Sequence, residues 1–135
     1  MNRLRQHPTR LNFTSLAIDI PPNEQKFEVK DKTSAVDLKF TEGEISFRNV
    51  SFNYNKGDRK ILSNLSFSVK TGETIAIVGQ SGSGKSTIGR LLFRFYDVCS
   101  GKIVINHQDI RNVSQASLRR HIGVVPQDII LFNDT

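Results

Sequence analysis

The stretch VGQSGSGKSTIGR, residues 78–90, decides how the rest of the chain is read. Gly79 to Ser86 fits the phosphate-loop pattern G-x-x-x-x-G-K-[S/T] without a gap. Ordinary glycine usage would place that pattern in a chain of this size on the order of once in a few hundred sequences. The flanks strengthen it. TIAIV (74–78) is a short apolar run of the kind expected for a strand buried on both faces of a parallel sheet. After the loop, Ile88, Leu91, Leu92 and Phe95 recur at helical spacing and predict one apolar helix stripe. Strand, glycine-rich loop and helix together are the context this motif requires.

Each position in the loop has a physical task. Gly79 and Gly84 allow tight turning and close approach to oxygen atoms. The amides of Ser81, Gly82, Ser83, Gly84, Lys85 and Ser86, preceded by Gln80, converge with the positive helix start into an anion nest. Lys85 is expected to reach β- and γ-phosphates as a point charge. The Ser86 hydroxyl is expected to ligate Mg²⁺, and Thr87 to donate on the α-phosphate side.

Upstream, GEISFRNVSFNY alternates at Ile45 and Phe47, then resumes out of step at Val50, Phe52 and Tyr54. A strand cannot change faces without an extra residue, so Arg48-Asn49 is predicted to carry a β-bulge. Gly57 marks a turn, and Leu65, Phe67 and Val69 line one face of a second, antiparallel strand. Downstream, the pattern predicts a strand at Ile103–Ile105, a short helix capped by Ser114 and running through Arg120, and a buried strand at 122–125. Order is expected to begin at Gly43. Residues 21–41 are polar and mixed in charge, headed by Pro21-Pro22, and read as linker.

Composition sets outer limits. A 37% hydrophobic and 24% charged chain of 135 residues fits one globular domain. The sequence holds no apolar run long enough to cross a bilayer. The single cysteine, Cys99, excludes an internal disulfide and a cysteine-built metal site. A formal charge of +6 is spread along the chain without a base-reading motif, which argues against nucleic acid. Residues 1–18 hold three Arg and no acid, as in an organellar transit peptide, but Pro8 interrupts any amphipathic helix; the plainer reading is a frayed N-terminus.

The loop does not by itself name a base. Asn55-Lys56-Gly57-Asp58 matches the N-K-x-D of guanine-binding proteins, but it precedes the loop and sits where a hairpin turn is expected, so it reads as a turn. Tyr54, ending a strand just before that turn, is the better candidate, as an aromatic platform for adenine.

The series Tyr54, ILSNLSFSVKTGETIAIVG, SGSGKST, LLFRFYDVCSG, SLRRHIGVVPQ, LFNDT resembles the nucleotide-binding domain of ABC transporters of the exporter type. Within that family it is similar to the half-transporters linked to mitochondrial iron–sulfur metabolism and heavy-metal tolerance. The resemblance is dense over 43–135, weaker over 26–42 and absent before that. It implies an α/β fold, a P-loop NTPase of ABC type, incomplete, in which an antiparallel β subdomain precedes the phosphate loop. Residues 1–42 would be an N-terminal extension or linker, and 43–135 the N-terminal part of the ATP-binding domain. Tyr54 resembles the aromatic that stacks on adenine, and Gln127 the glutamine that touches Mg²⁺ or the attacking water. ATP and Mg²⁺ are the implied cofactors. The implied partners are a transmembrane domain and a second nucleotide-binding domain, at a membrane with this domain on its cytosolic or mitochondrial-matrix side. Asn106-His107 replaces the usual Asp-Gly, which predicts a distorted turn, and Cys99 stands where Thr is usual.

In this family hydrolysis also needs a signature motif, a Walker B strand with its Asp and catalytic Glu, and a switch histidine, none found by Thr135. The resemblance therefore implies a chain that binds Mg-ATP weakly and does not turn it over alone, and that leaves TIAIV as an unpaired, association-prone edge. Two other classes fit the loop: a non-catalytic nucleotide-dependent docking module, and another P-loop enzyme such as a small-molecule kinase. The leading antiparallel strands and Tyr54 disfavour the kinase.

Overall fold

The computed structural model describes residues 29–41 and 43–124. Strand β1 (Ile45–Phe52) lies between β2 (Leu62–Val69) and β3 (Ser100–Ile105), with the two-residue β4 (Gln108–Asp109) beside β3. This four-stranded sheet is antiparallel throughout, in the order β2-β1-β3-β4. Helix α1 spans Lys85–Leu92, a 3-10 turn spans Ile110–Asn112, and helix α2 spans Gln115–Arg120.

The expected bulge is present. Register shifts against β2 between Phe47 and Val50, and against β3 between Arg48 and Ser51. Asn49 adopts φ 49, and its backbone N–H donates to the Ser66 hydroxyl at 2.8 Å. The bulge brings backbone so close to β3 that a Cβ on Gly101 would collide with the carbonyl oxygens of Arg48 and Asn49. With the bulge in place, Ile45, Phe47, Val50 and Phe52 are all buried, and Phe47 stacks on Phe67 of β2 at 4.5 Å. Ile88, Leu91 and Leu92 of α1 and Leu118 of α2 join the same core as Ile103 and Ile105 of β3.

Four sequence expectations change. Helix α1 stops at Leu92, before Phe95. It ends in a Schellman motif, with Phe95 N–H donating to Arg90 O and Arg94 N–H to Leu91 O, each at 3.0 Å. The left-handed position that usually takes glycine is held by Arg94, φ 54. Phe95 instead stacks on Phe93 and lies under the Arg119 guanidinium, 4.9 Å from the ring centre.

The β3–β4 turn is not distorted. Asn106 (φ 47) and His107 (φ 64) form a two-residue loop between the paired Ile105 and Gln108, the backbone of a type I′ hairpin turn. Asn106 is buried and accepts from Gly43 N–H at 2.6 Å while donating to Lys39 O at 3.2 Å.

Residues 29–41 are docked on the domain, where the sequence reads as linker. Val36 forms a parallel bridge with Val113, and Leu38 is buried with its N–H on the Ser117 hydroxyl at 2.8 Å. Asp31 accepts from Gln115 N–H at the start of α2 and forms an ion pair with Arg94 at 3.1 Å. Arg94 is 1% exposed; it also reaches Asp97 at 3.2 Å and Val113 O at 2.9 Å, so its charge is buried with partners on three segments.

TIAIV forms no strand, and neither do residues 122–124. Ile75 and Ile77 are half-buried, whereas Val78 is 87% exposed. A parallel strand is stable only between neighbours that take its backbone hydrogen bonds, and none pairs with 74–78 among the described residues. Val125, the last residue of the predicted fifth strand, lies outside the described residues, as does Gln127.

Candidate functional site

Residues 79–87 run as one continuous loop into the start of α1. Gly82 (φ 80) and Gly84 (φ 89) take backbone conformations that side chains resist. Gly84 also approaches the start of β2: a Cβ there would sit 2.9 Å from Leu62 Cδ2 and 3.2 Å from Ile61 O. Glycine at this position therefore allows the helix start to rest directly on the β1–β2 hairpin.

The helix start suits an anion. Gly84 is its N-cap, no side chain caps the first turn, and no acidic residue occupies it. Its amides thus keep their hydrogen-bonding capacity and the positive end of the helix is uncompensated. Lys85 folds back over the loop, donating from Nζ to Gly79 O and Gln80 O at 2.7 Å each, with Ser83 Oγ at 3.4 Å. Ser83 N–H closes the turn on Gln80 O at 3.2 Å. A Cβ on Gly79 would meet Ser83 Oγ at 2.5 Å, so the Ser83 hydroxyl would have to turn away. Ser81, Gly82, Ser83 and Ser86 are exposed and Lys85 is half-buried, so the loop is open to solvent.

Tyr54 joins this loop. Its hydroxyl lies 3.0 Å from Thr87 Oγ1, and Arg90 Nη1 donates to the same hydroxyl at 3.0 Å. The ring meets Phe52 edge-on at 5.0 Å and Tyr96 edge-on at 5.2 Å, which fixes its plane. The structure therefore brings together ten of the eleven residues singled out from the sequence, Tyr54 with Gly79 to Thr87. Gln127 lies outside the described residues. Asn55 to Asp58 is a turn, with Asp58 N–H on Asn55 O at 3.2 Å, Asn55 Nδ2 on Asp58 Oδ2 at 2.8 Å, and Gly57 at φ 96.

Sequence reasoning missed Arg90. The signal was available: Arg90 is three residues beyond Thr87, which puts both on one face of α1, towards Tyr54.

The shifted ionisations, at Asp109, Arg111 and Arg119, lie away from the loop. Burial tends to raise the Asp109 carboxyl, but hydrogen bonds from the Arg111 side chain and backbone outweigh it and hold Asp109 below the usual carboxylate range. Burial lowers Arg119, whose guanidinium donates to Phe93 O and Arg94 O. Among the described residues no cluster of His, Cys, Asp or Glu could hold a metal, and no helix is long and apolar enough to cross a membrane.

The family described as ABC transporter matches residues 62–135. The human protein named ATP-binding cassette sub-family B member 6 is 60% identical over 111 residues, covering 82% of this chain and 13% of that protein. The mitochondrial protein named iron-sulfur clusters transporter ATM1, from Debaryomyces hansenii, is 58% identical over 114 residues, covering 82% of this chain and 16% of that protein. Among solved structures, a bacterial Atm1-family ABC exporter with ATP bound is 54% identical with TM-score 0.71, covering 79% of this chain and 19% of that one. The chain thus spans well under a fifth of the length of these curated relatives.

Proposed function

This chain belongs to the ABC transporter family, and from that premise we propose that it carries the base platform and phosphate cradle of an exporter's ATP-binding domain. The observation that carries the reading is the contact between Tyr54 and Thr87, 33 residues apart, which sets an aromatic ring beside the phosphate loop. Tyr54 supplies the face for adenine. The amides of residues 81–86 and the Lys85 ammonium meet the phosphates, and Lys85 exchanges its bonds to the loop carbonyls for phosphate oxygens.

The donor set fits Mg²⁺ held mainly by the nucleotide. Ser86 offers one exposed hydroxyl in the first turn of α1, and the described residues add no carboxylate cluster. The ion would neutralise phosphate charge there. Gln127 is proposed as a further contact. Residues 43–135 form the N-terminal part of this ATP-binding domain. The proposed partners are an exporter's transmembrane domain and a second nucleotide-binding domain, at a membrane with this domain on its cytosolic or matrix side.

Affinity follows from openness. In a loop open to solvent, water screens each charge contact with the phosphates. The chain is expected to bind Mg-ATP weakly and, lacking a positioned base in the described site, not to hydrolyse it. Calorimetric titration tests this: saturable Mg-ATP binding is expected, weakened about tenfold or more in Lys85→Ala. Unchanged binding in that variant contradicts the reading, and so does ATP turnover that Lys85→Ala abolishes.

A further inference from the structure

Tyr54 is a loop-end residue on a chain segment that leads straight into an exposed turn, a poor mounting for a rigid platform. Its mounting comes from α1. Thr87 and Arg90, three residues apart on one face of that helix, both reach the Tyr54 hydroxyl at 3.0 Å. Thr87 is buried and Arg90 half-buried, so neither contact is a fully solvated surface bond. The guanidinium lies at the hydroxyl end of the ring, its carbon 6.0 Å from the ring centre. With Phe52 and Tyr96 edge-on, the phenol is held by its rim and its hydroxyl.

We propose that Arg90 is a positioning residue for base recognition: it holds Tyr54 against the phosphate-loop helix and acts on nucleotide affinity only through that ring. The inference rests on the nucleotide reading above. Its physical content is a division of labour along α1. Lys85 at the helix start serves the phosphates. Arg90, more than one turn further on, serves the base, because its Nη1 donates to the phenol oxygen. The phenol oxygen can accept from Arg90 while giving its own proton to Thr87 Oγ1, so both contacts stand together.

The two roles separate when a ligand without a base is used. Mg-ATP and Mg-tripolyphosphate are titrated into the chain and into Arg90→Met, Tyr54→Phe, their double variant and Lys85→Ala, with melting followed in parallel. Arg90→Met and Tyr54→Phe are each expected to weaken ATP about five- to tenfold, the scale of one lost hydrogen bond, and to leave tripolyphosphate unchanged. The double variant is expected to lose no more than either single change. Equal weakening of both ligands, or of neither, overturns the proposal, since the residue then acts on the cradle or not at all. Additive losses in the double variant also overturn it. If Arg90→Met does not fold, Arg90→Lys and Tyr54→Phe carry the same comparison. Lys85→Ala is the separate control: it should weaken both ligands, and tripolyphosphate binding indifferent to it removes the cradle reading itself.

Discussion

The antiparallel sheet and the segment leading into the phosphate loop use the same kinds of residue and end in opposite states. Ile103 and Ile105 of β3 are 1% and 2% exposed, whereas Val78, in an equally apolar run, is 87% exposed. The sheet is closed because its partners lie nearby: β1 pairs with β2 across a turn, and the bulge turns the second half of β1 back into the core. Residues 74–78 have no pairing strand among the described residues. Hydrophobicity alone does not place a strand; access to hydrogen-bonding neighbours does.

The contrast can be broken from the closed side first. Gly101→Ala forces a Cβ onto two backbone carbonyls and places a side chain at φ 78, so it should cost about 4 kcal/mol or prevent folding. Chemical denaturation measures it, and a loss under 1 kcal/mol would mean that the bulge yields.

Next comes the buried cation. Arg94→Ala removes the ion pair to Asp31 and the bond to Val113 O, releasing residues 29–38 from the domain. A loss of about 3 kcal/mol is expected, since a buried charge network loses its centre. Limited proteolysis should then cut first near Lys30 and Lys32.

The open side should respond differently. Lys85→Ala touches only loop oxygens, so its melting temperature should stay within about 2 °C of the parent while ligand affinity falls.

The smallest effect concerns pH. Because Asp109 is held below its ordinary value of 3.8, its contribution is complete above that value and fades as the pH falls through the lowered one. Asp109→Asn should therefore destabilise at neutral pH and lose that penalty in acid; a penalty independent of pH would place its cause in packing.

The sequence made some of this visible and hid the rest for physical reasons. The bulge was legible because alternation went out of step at a definable place, Arg48-Asn49, and a strand has no other way to do that. The phosphate loop was legible because glycine and lysine positions are fixed by backbone geometry. The docking of residues 29–41 was hidden, since it runs through backbone bonds, Asp31 and the single buried Leu38 within a polar stretch. Arg94 was hidden for a related reason: nothing local predicts a positive φ at arginine, and only partners from distant segments make it stable. TIAIV was misread because an apolar run specifies burial without specifying what does the burying.

Hydrogen exchange with and without Mg-ATP tests the division between closed scaffold and open cradle most directly. Amides of residues 79–87 are expected to gain protection on binding, while those of β1, β2 and β3 keep theirs, and Lys85→Ala should erase the gain. Protection that rises in the sheet and not in the loop, or that survives Lys85→Ala unchanged, would contradict the account.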